Sequence, residues 1–141
     1  MIAALSIATV VLAAVGFYIA LYFSLVYYGV LKANSRMMPE VCRLEDKTCK
    51  TVIETPYGRV FGLPNSFLGA IYYTAVITLI LTRQMPTALG LLLVVVSWFT
   101  VGLAVFLAYA LFFIIRIPCP LCLTAHAINL TIACMLTYLG F

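Results

Sequence analysis

The sequence predicts an all-α membrane protein, a four-transmembrane-helix bundle with a long cysteine-containing loop between helices 1 and 2. Three observations carry this. The 141 residues are 66% hydrophobic and only 9% charged, far below the roughly one quarter usual in soluble domains. Ten of the charges lie between Lys32 and Arg59, and the remaining two are Arg83 and Arg116. The uncharged runs 1–31, 60–82, 84–115 and 117–141 each reach the roughly 20 residues that a bilayer-crossing helix needs. Four spans return the chain to its starting side, so both termini share one face of the membrane. Residues 1–141 read as a single integral membrane domain with no soluble domain, repeat or low-complexity tract. A net charge of +4 then concerns topology and the membrane surface, not nucleic acid.

The first helix is expected over Ile2 to Val30, rich in Ala, Leu and Val, with Tyr18, Tyr22, Tyr27 and Tyr28 toward its interfacial end. Its apolar run is too long for a signal-peptide core and no basic residue precedes it, so it reads as a permanent anchor. It is expected to pack and anchor without chemistry of its own. The loop from Leu31 to Leu63 follows, too long to be structureless, so it should carry function or short structure. Within it, Cys42 and Cys49 are seven apart across charged, turn-compatible residues, a candidate exposed disulfide loop. From Lys50 to Gly62 charges alternate with apolar and aromatic side chains. That pattern predicts a lid on the membrane surface, with Val52, Ile53, Tyr57 and Phe61 turned toward lipid or a pocket.

The second helix is expected from Pro64-Asn65-Ser66 to Leu81, with Pro64 suited to a helix start and Asn65 to a cap. Asn65, Gly69, Tyr72 and Val76 share a face, and Gly69 and Ala70 permit close helix contact. Asn65 has two readings, a simple N-cap or a hydrogen-bond donor to a bound carbonyl. A turn over Arg83 to Thr87 leads into a third helix from about Ala88 to Ile114, where Trp98 and Tyr109 read as packing residues.

The fourth helix opens on Arg116-Ile117-Pro118-Cys119-Pro120-Leu121-Cys122. Two cysteines three apart at a helix start are close enough for a small disulfide, which makes a two-electron switch. The N-terminal backbone N–H groups favour a thiolate there, so the pair reads as reactive. At about 100° per residue, Cys119, Cys122, His126 and Asn129 fall within roughly 80° of one another. Such a polar stripe at membrane depth is expected to line a pocket. Cys134, about 120° off the stripe, reads as a buried apolar cysteine. Two thiol pairs on one membrane side describe a relay, and the lipid-soluble two-electron acceptor that suits an apolar four-helix pocket is a quinone.

These residues resemble the membrane oxidoreductases of the vitamin K epoxide reductase type, including their bacterial and archaeal homologues. The resemblance rests on Cys42 and Cys49, Thr55 six residues on with Tyr57-Gly58 following, the run from Phe61 to Gly69, and Cys119-Pro120-Leu121-Cys122 leading into Asn129. It implies a shuttle pair in the loop, Cys42 and Cys49, and an active-site pair, Cys119 and Cys122, with Cys122 nearest the quinone and Cys119 exchanging with a loop cysteine. It further implies that Asn65 holds a quinone carbonyl, that Thr55 supports the site, and that His126 stands where animal members carry a tyrosine. Phe61 joins these as a quinone-contact candidate. With no fused thioredoxin-like domain, the dithiol partner is expected to be a thioredoxin-like protein acting in trans, and no metal is expected.

The Lys/Arg distribution places six basic residues in Lys32 to Arg59 and Arg116 on the cysteine side, against Arg83 opposite. The positive-inside rule then predicts a cytoplasm-facing active side, an inversion suited to hyperthermophilic archaea, whose cytosolic proteins carry disulfides; the alternative is an extracytoplasmic one. Rival functions are vitamin K epoxide recycling, a bacterial DsbB-type oxidase, and a structural zinc protein. The DsbB type places its Cys-x-x-Cys in the first outward loop, the reverse of this order. Zinc knuckles prefer two to four residues between paired cysteines, against six between Cys42 and Cys49.

Overall fold

The computed structural model describes residues 1–31, 48–82, 86–117 and 119–140. Among the described residues, four helices are long and apolar enough to cross a membrane. These are α1 (Ile2–Tyr27), α3 (Asn65–Thr82), α4 (Thr87–Tyr109, prolonged by a π-helical turn to Ile115) and α5 (Pro120–Tyr138). Between α1 and α3 the described chain forms a short helix α2 (Thr48–Glu54), a 3-10 turn (Pro56–Gly58) and a hairpin of β1 (Arg59–Val60) and β2 (Leu63–Pro64).

The ends of these elements follow from local chemistry. α1 stops three residues earlier than expected, because Gly29 adopts φ +72° and returns its N–H to Val26 O at 3.1 Å; a left-handed glycine after the last turn is a standard helix stop. α4 widens in its final turn and ends at Arg116, which is left-handed at φ 57°. Pro120 opens α5 at the first helical position, where its missing N–H costs nothing. The hairpin pairs Arg59 with Pro64 and Val60 with Leu63 through a two-residue turn, Phe61-Gly62. Both turn residues have positive φ, 54° and 80°, the geometry that matches the strand twist. The Arg59 guanidinium sits 5.5 Å above the Tyr27 ring and ties the hairpin to the end of α1.

α1 packs along α3, α4 along α5, and α1 also touches α5, whereas α3 and α4 meet only sparsely. In lipid there is little hydrophobic drive between helices, so packing and polar contacts hold a bundle. Thr9 Oγ1 donates to Met135 Sδ at 3.3 Å, which sets the start of α1 against the end of α5. The Ser24 and Ser66 hydroxyls meet at 3.2 Å between α1 and α3. Tyr72 donates to Ser97 Oγ at 2.8 Å across the sparse α3–α4 seam, and Trp98 Nε1 to Thr137 Oγ1 at 3.0 Å between α4 and α5. Near the termini the core is closed, with Ala13, Val76, Ile132 and Leu136 wholly buried. Toward the hairpin it is hollow.

Among the described residues, the Tyr73 ring of α3 lies against Gly16 of α1. A β-carbon built at Gly16 would clash with that ring, so the ring crosses α1 because no side chain is present there. Gly69, expected to mediate close contact, is looser, with Ala20 Cβ at 3.7 Å from the built position. Gly16→Ala should therefore destabilise the bundle by about 1–3 kcal/mol through overpacking. Gly102→Ala, which meets nothing within 4 Å, should be neutral. Thermal unfolding in detergent checks the pair, and equal midpoints would remove the constraint assigned to Gly16.

Candidate functional site

The hollow half of the bundle encloses a cavity of about 290 Å³, close to the lower limit of small-molecule sites. Gly16, Ile19, Ala20 and Phe23 of α1 form one wall, which corrects the expectation that this helix only packs and anchors. Asn65, Gly69 and Tyr72 of α3 face it as their shared helix face predicts, and Tyr73 joins them, whereas Val76 lies in the closed core below. Cys122, His126 and Asn129 of α5 line the opposite side.

Cys119 departs from the predicted stripe. It precedes α5 in an extended conformation, φ −106° and ψ 106°, is wholly buried, and is absent from the cavity wall. The two cysteines of the Cys-x-x-Cys thus differ in setting, one facing the cavity and one sealed. Cys134 is exposed, not buried. Its helix face looks outward to where lipid would lie, an apolar medium in which a thiol behaves as a small hydrophobe.

Over the cavity lies the segment from α2 to the hairpin. Val52 and Ile53 are buried beneath it and line the cavity, so the alternation of the sequence does mark a lid. Thr55 lines the cavity while its Oγ1 donates to Val52 O at 2.7 Å, clipping α2 to the 3-10 turn. Tyr57 leans on Phe106 of α4 with ring centres 6.3 Å apart. Phe61 stands at the cavity rim but is 93% exposed at the tip of the hairpin, so it contributes a rim and not an enclosing wall. Cys42 lies outside the described residues, and for Cys49 the structure gives only its place in α2. Trp98 and Tyr109 stay out of the cavity, as expected for packing residues; Tyr109 stacks on Phe113 at 4.9 Å.

The polar inventory of the cavity is uneven. Five of its hydroxyls are engaged with protein groups: Thr55 with Val52 O, Ser66 with Ser24, Tyr72 with Ser97, Thr100 with Ser97 O, and Tyr73 with Asn129. Among the described residues, the Asn65 amide, the His126 ring and the Asn129 Nδ2 make no side-chain hydrogen bond. Asn65 is the first residue of α3, directly after β2. Nitrogen groups facing an apolar hollow suit a largely apolar molecule that presents acceptor oxygens. Among the described residues no cluster of metal-binding side chains occurs.

A family model described as the vitamin K epoxide reductase family matches residues 7–137. The chain belongs to the vitamin K epoxide reductase family. It is thus a multi-pass membrane protein of an oxidoreductase family, and the matched residues include all four spanning helices in whole or large part. Vitamin K epoxide reductase complex subunit 1 of the mouse, Mus musculus, is 33% identical over 95 residues, covering 58% of this chain. The chain spans 58% of the length of that curated relative.

Sequence reasoning about this family member missed Gly16, Tyr73 and the α1 wall. The available signal was the pair of small residues Gly16 and Ala20, four apart in an aromatic-rich helix, since such spacing admits a neighbouring ring.

The Thr55 clip is testable. Thr55→Val should raise amide exchange at Thr55 and Gly58 about fivefold, the loss of one neutral hydrogen bond, while Thr55→Ser should leave it unchanged. Exchange in the valine variant equal to wild type would show that the clip does not hold the lid.

Proposed function

We propose that the chain is a membrane thiol–disulfide oxidoreductase that takes electron pairs from a thioredoxin-like dithiol protein and passes them to a bound quinone, promoting disulfide formation. The observation that carries this reading is Cys122 on the wall of an apolar cavity where, among the described residues, the Asn65 and His126 side chains make no hydrogen bond. Family membership supports redox chemistry on a quinone, and the name of the mouse relative supports a vitamin K-type naphthoquinone among the acceptors. Reduction of its epoxide is the second reading, favoured by that name alone.

A quinone bound in the cavity supplies an acceptor for two electrons and two protons. The chain's own residues do the rest. Asn65 holds an oxygen at the lid end and His126 lies one helical turn beyond Cys122. The lid segment, with Val52 and Ile53 beneath it, excludes water. The Cys119 and Cys122 thiols together release two electrons and two protons as their S–S bond forms. A thiolate of the reduced loop pair, Cys42 and Cys49, then attacks that disulfide. Exchange returns Cys119 and Cys122 to thiols and leaves the loop pair oxidised. The partner's dithiol reduces the loop disulfide in turn and departs as a disulfide. Complete burial of Cys119 keeps an external dithiol from that sulfur, because exchange requires access to the sulfur attacked.

The cavity is sized for a ring system, so a long isoprenoid tail has to lie outside it. Val96 and Phe99 line the cavity yet are 37% and 65% exposed on the outer surface. The sparse seam between α3 and α4 at this level supports an exit into lipid.

The active side faces the cytoplasm in this proposal, on the basic-residue asymmetry described above. A compartment-sensitive reporter fused after Phe141 should report an extracytoplasmic C-terminus; a cytoplasmic signal would overturn the inversion, because termini and active side are opposite. For the chemistry, purified protein under anaerobic conditions with a reduced thioredoxin-like protein should reduce menadione. Cys122→Ala should lower turnover by at least 10³-fold, roughly the cost of removing a covalent nucleophile. Undiminished turnover in that variant would exclude the relay through α5.

A further inference from the structure

The deep end of the cavity is built around a hydrogen bond that no part of the relay uses. Tyr73 of α3 donates its hydroxyl proton to Asn129 Oδ1 of α5 at 2.6 Å. The ring that delivers it is fixed from several directions. It is 2% exposed, it lies across Gly16 where no β-carbon fits, and it stands 5.3 Å from the Tyr72 ring at a tilt of 55°. A hydroxyl on so confined a ring has little choice of direction.

The bond has a chemical consequence for Asn129. A carboxamide offers one acceptor oxygen and two N–H donors. With Oδ1 accepting from Tyr73, a flip of the amide would leave the buried Tyr73 hydroxyl proton without an acceptor in a water-poor site, where an orphaned polar group is costly. What remains for the cavity is Nδ2, which only donates. Asn65 lies eight residues before Tyr73 on α3, roughly 12 Å along the helix axis at 1.5 Å per residue. The cavity therefore carries an amide at each end, with a ring-sized apolar space between.

The geometry points to Asn129 as a second quinone-binding residue, a donor to the carbonyl oxygen at the deep end, with Tyr73 as the positioning residue that makes it donor-only. This rests on the proposed quinone chemistry and adds a discrimination to it. A quinone carbonyl accepts without competing, whereas the hydroxyl of the reduced product has its own proton to place. A donor-only amide provides no site for that proton, so the oxidised ligand is held more tightly than the reduced one and product leaves. His126, one turn nearer the mouth, is not needed for this contact.

The test uses purified full-length chain in detergent, with menadione singly ¹³C-labelled at either carbonyl as the probe. In wild type, both carbonyl stretching bands should lie below their position in empty detergent, because a hydrogen bond at each oxygen weakens the C=O bond. Asn129→Leu should return one band to the unbonded position and weaken menadione binding by equilibrium dialysis about tenfold. Tyr73→Phe keeps the ring but releases Oδ1. It should weaken menadione about threefold while strengthening menadiol binding, so the oxidised-to-reduced affinity ratio falls; simple loosening of the bundle would weaken both forms together. Bands and an affinity ratio that stay at their wild-type values in both variants would overturn the assignment. Loss of the band shift in His126→Leu instead would overturn it in favour of the histidine. Absence of any menadione binding by wild type would overturn the quinone reading itself, which is a separate result.

Discussion

A bilayer interior contains no water to satisfy a polar side chain, and that constraint organises this protein. Each hydroxyl or amide brought into the hydrocarbon must find a partner within the bundle or in what the bundle binds. The hydroxyls find protein. Thr9, Ser24, Tyr72 and Thr137 each bridge two helices, and Tyr73 reaches the diagonal neighbour at Asn129. Individually such bonds contribute about 0.6 kcal/mol in membrane proteins. Their greater effect is on register, since each bond fixes one helix against another at a definite depth. The nitrogens of Asn65, His126 and Asn129 are left over on the described part of the wall, and all three face the same hollow. An unsatisfied set concentrated in one place indicates a binding site better than any single residue does.

The same constraint explains why the bundle is closed at one end and hollow at the other. Near the termini α1 and α5 supply Ala13, Ile132 and Leu136, which interdigitate with Val76 and leave no space. One or two turns toward the hairpin the chain substitutes bulk of a different kind. Gly16, Ala20 and Gly69 remove side chains from the α1–α3 contact, while Tyr73 projects into the resulting gap and Tyr72 reaches across to Ser97 of α4. Rings held by small residues are stiff walls, whereas a liner of flexible aliphatic chains would collapse onto an empty volume. Above them the lid closes the mouth with backbone structure instead of a loose loop. Its anchors are Val52 and Ile53 below, the Thr55 clip within, and Arg59 on Tyr27 at the side.

Much of this was legible in the sequence, and the reasons are physical. Charge confined to Lys32–Arg59, Arg83 and Arg116 leaves the spans no other placement, so the four helices follow from solvation alone. The stripe on α5 was legible because 3.6-residue periodicity is reliable within one helix, and Cys122, His126 and Asn129 do share the cavity. Periodicity failed at the two ends of its range. Cys119 sits before the first turn, where helical angles do not apply, and it left the stripe. Cys134 was placed correctly off the stripe but read as buried, because in a membrane protein the face opposite a pocket looks toward lipid instead of core. Gly16 and Ala20 mark a place for a close approach, but that Tyr73 fills it was illegible for another reason. Gly16 and Tyr73 are each ordinary within their own helix, and only their juxtaposition across α1 and α3 gives either a role. Pairwise complementarity of that kind does not appear in the pattern of one strand of sequence.

On the proposed reading, the unequal settings of Cys119 and Cys122 divide the labour between two sulfurs that a Cys-x-x-Cys motif makes look equivalent. A relay must prevent the incoming dithiol protein from meeting the quinone directly, since that would bypass the chain and expose the acceptor to any thiol. Placing Cys122 on the cavity wall gives the acceptor one sulfur. Burying Cys119 outside that wall reserves the other for a partner that the protein itself delivers, and Cys49 lies in α2 of the lid itself, with Cys42 seven residues before it in the sequence. Exchange at Cys119 is then an intramolecular event whose effective concentration is set by the tether and not by the concentration of external thiols. Selectivity for electron donors arises at the loop, where a protein partner can dock. Selectivity for the acceptor arises in the cavity, where amide nitrogens and ring-sized space decide. The two are separated by a sealed sulfur, so each can be tuned without disturbing the other.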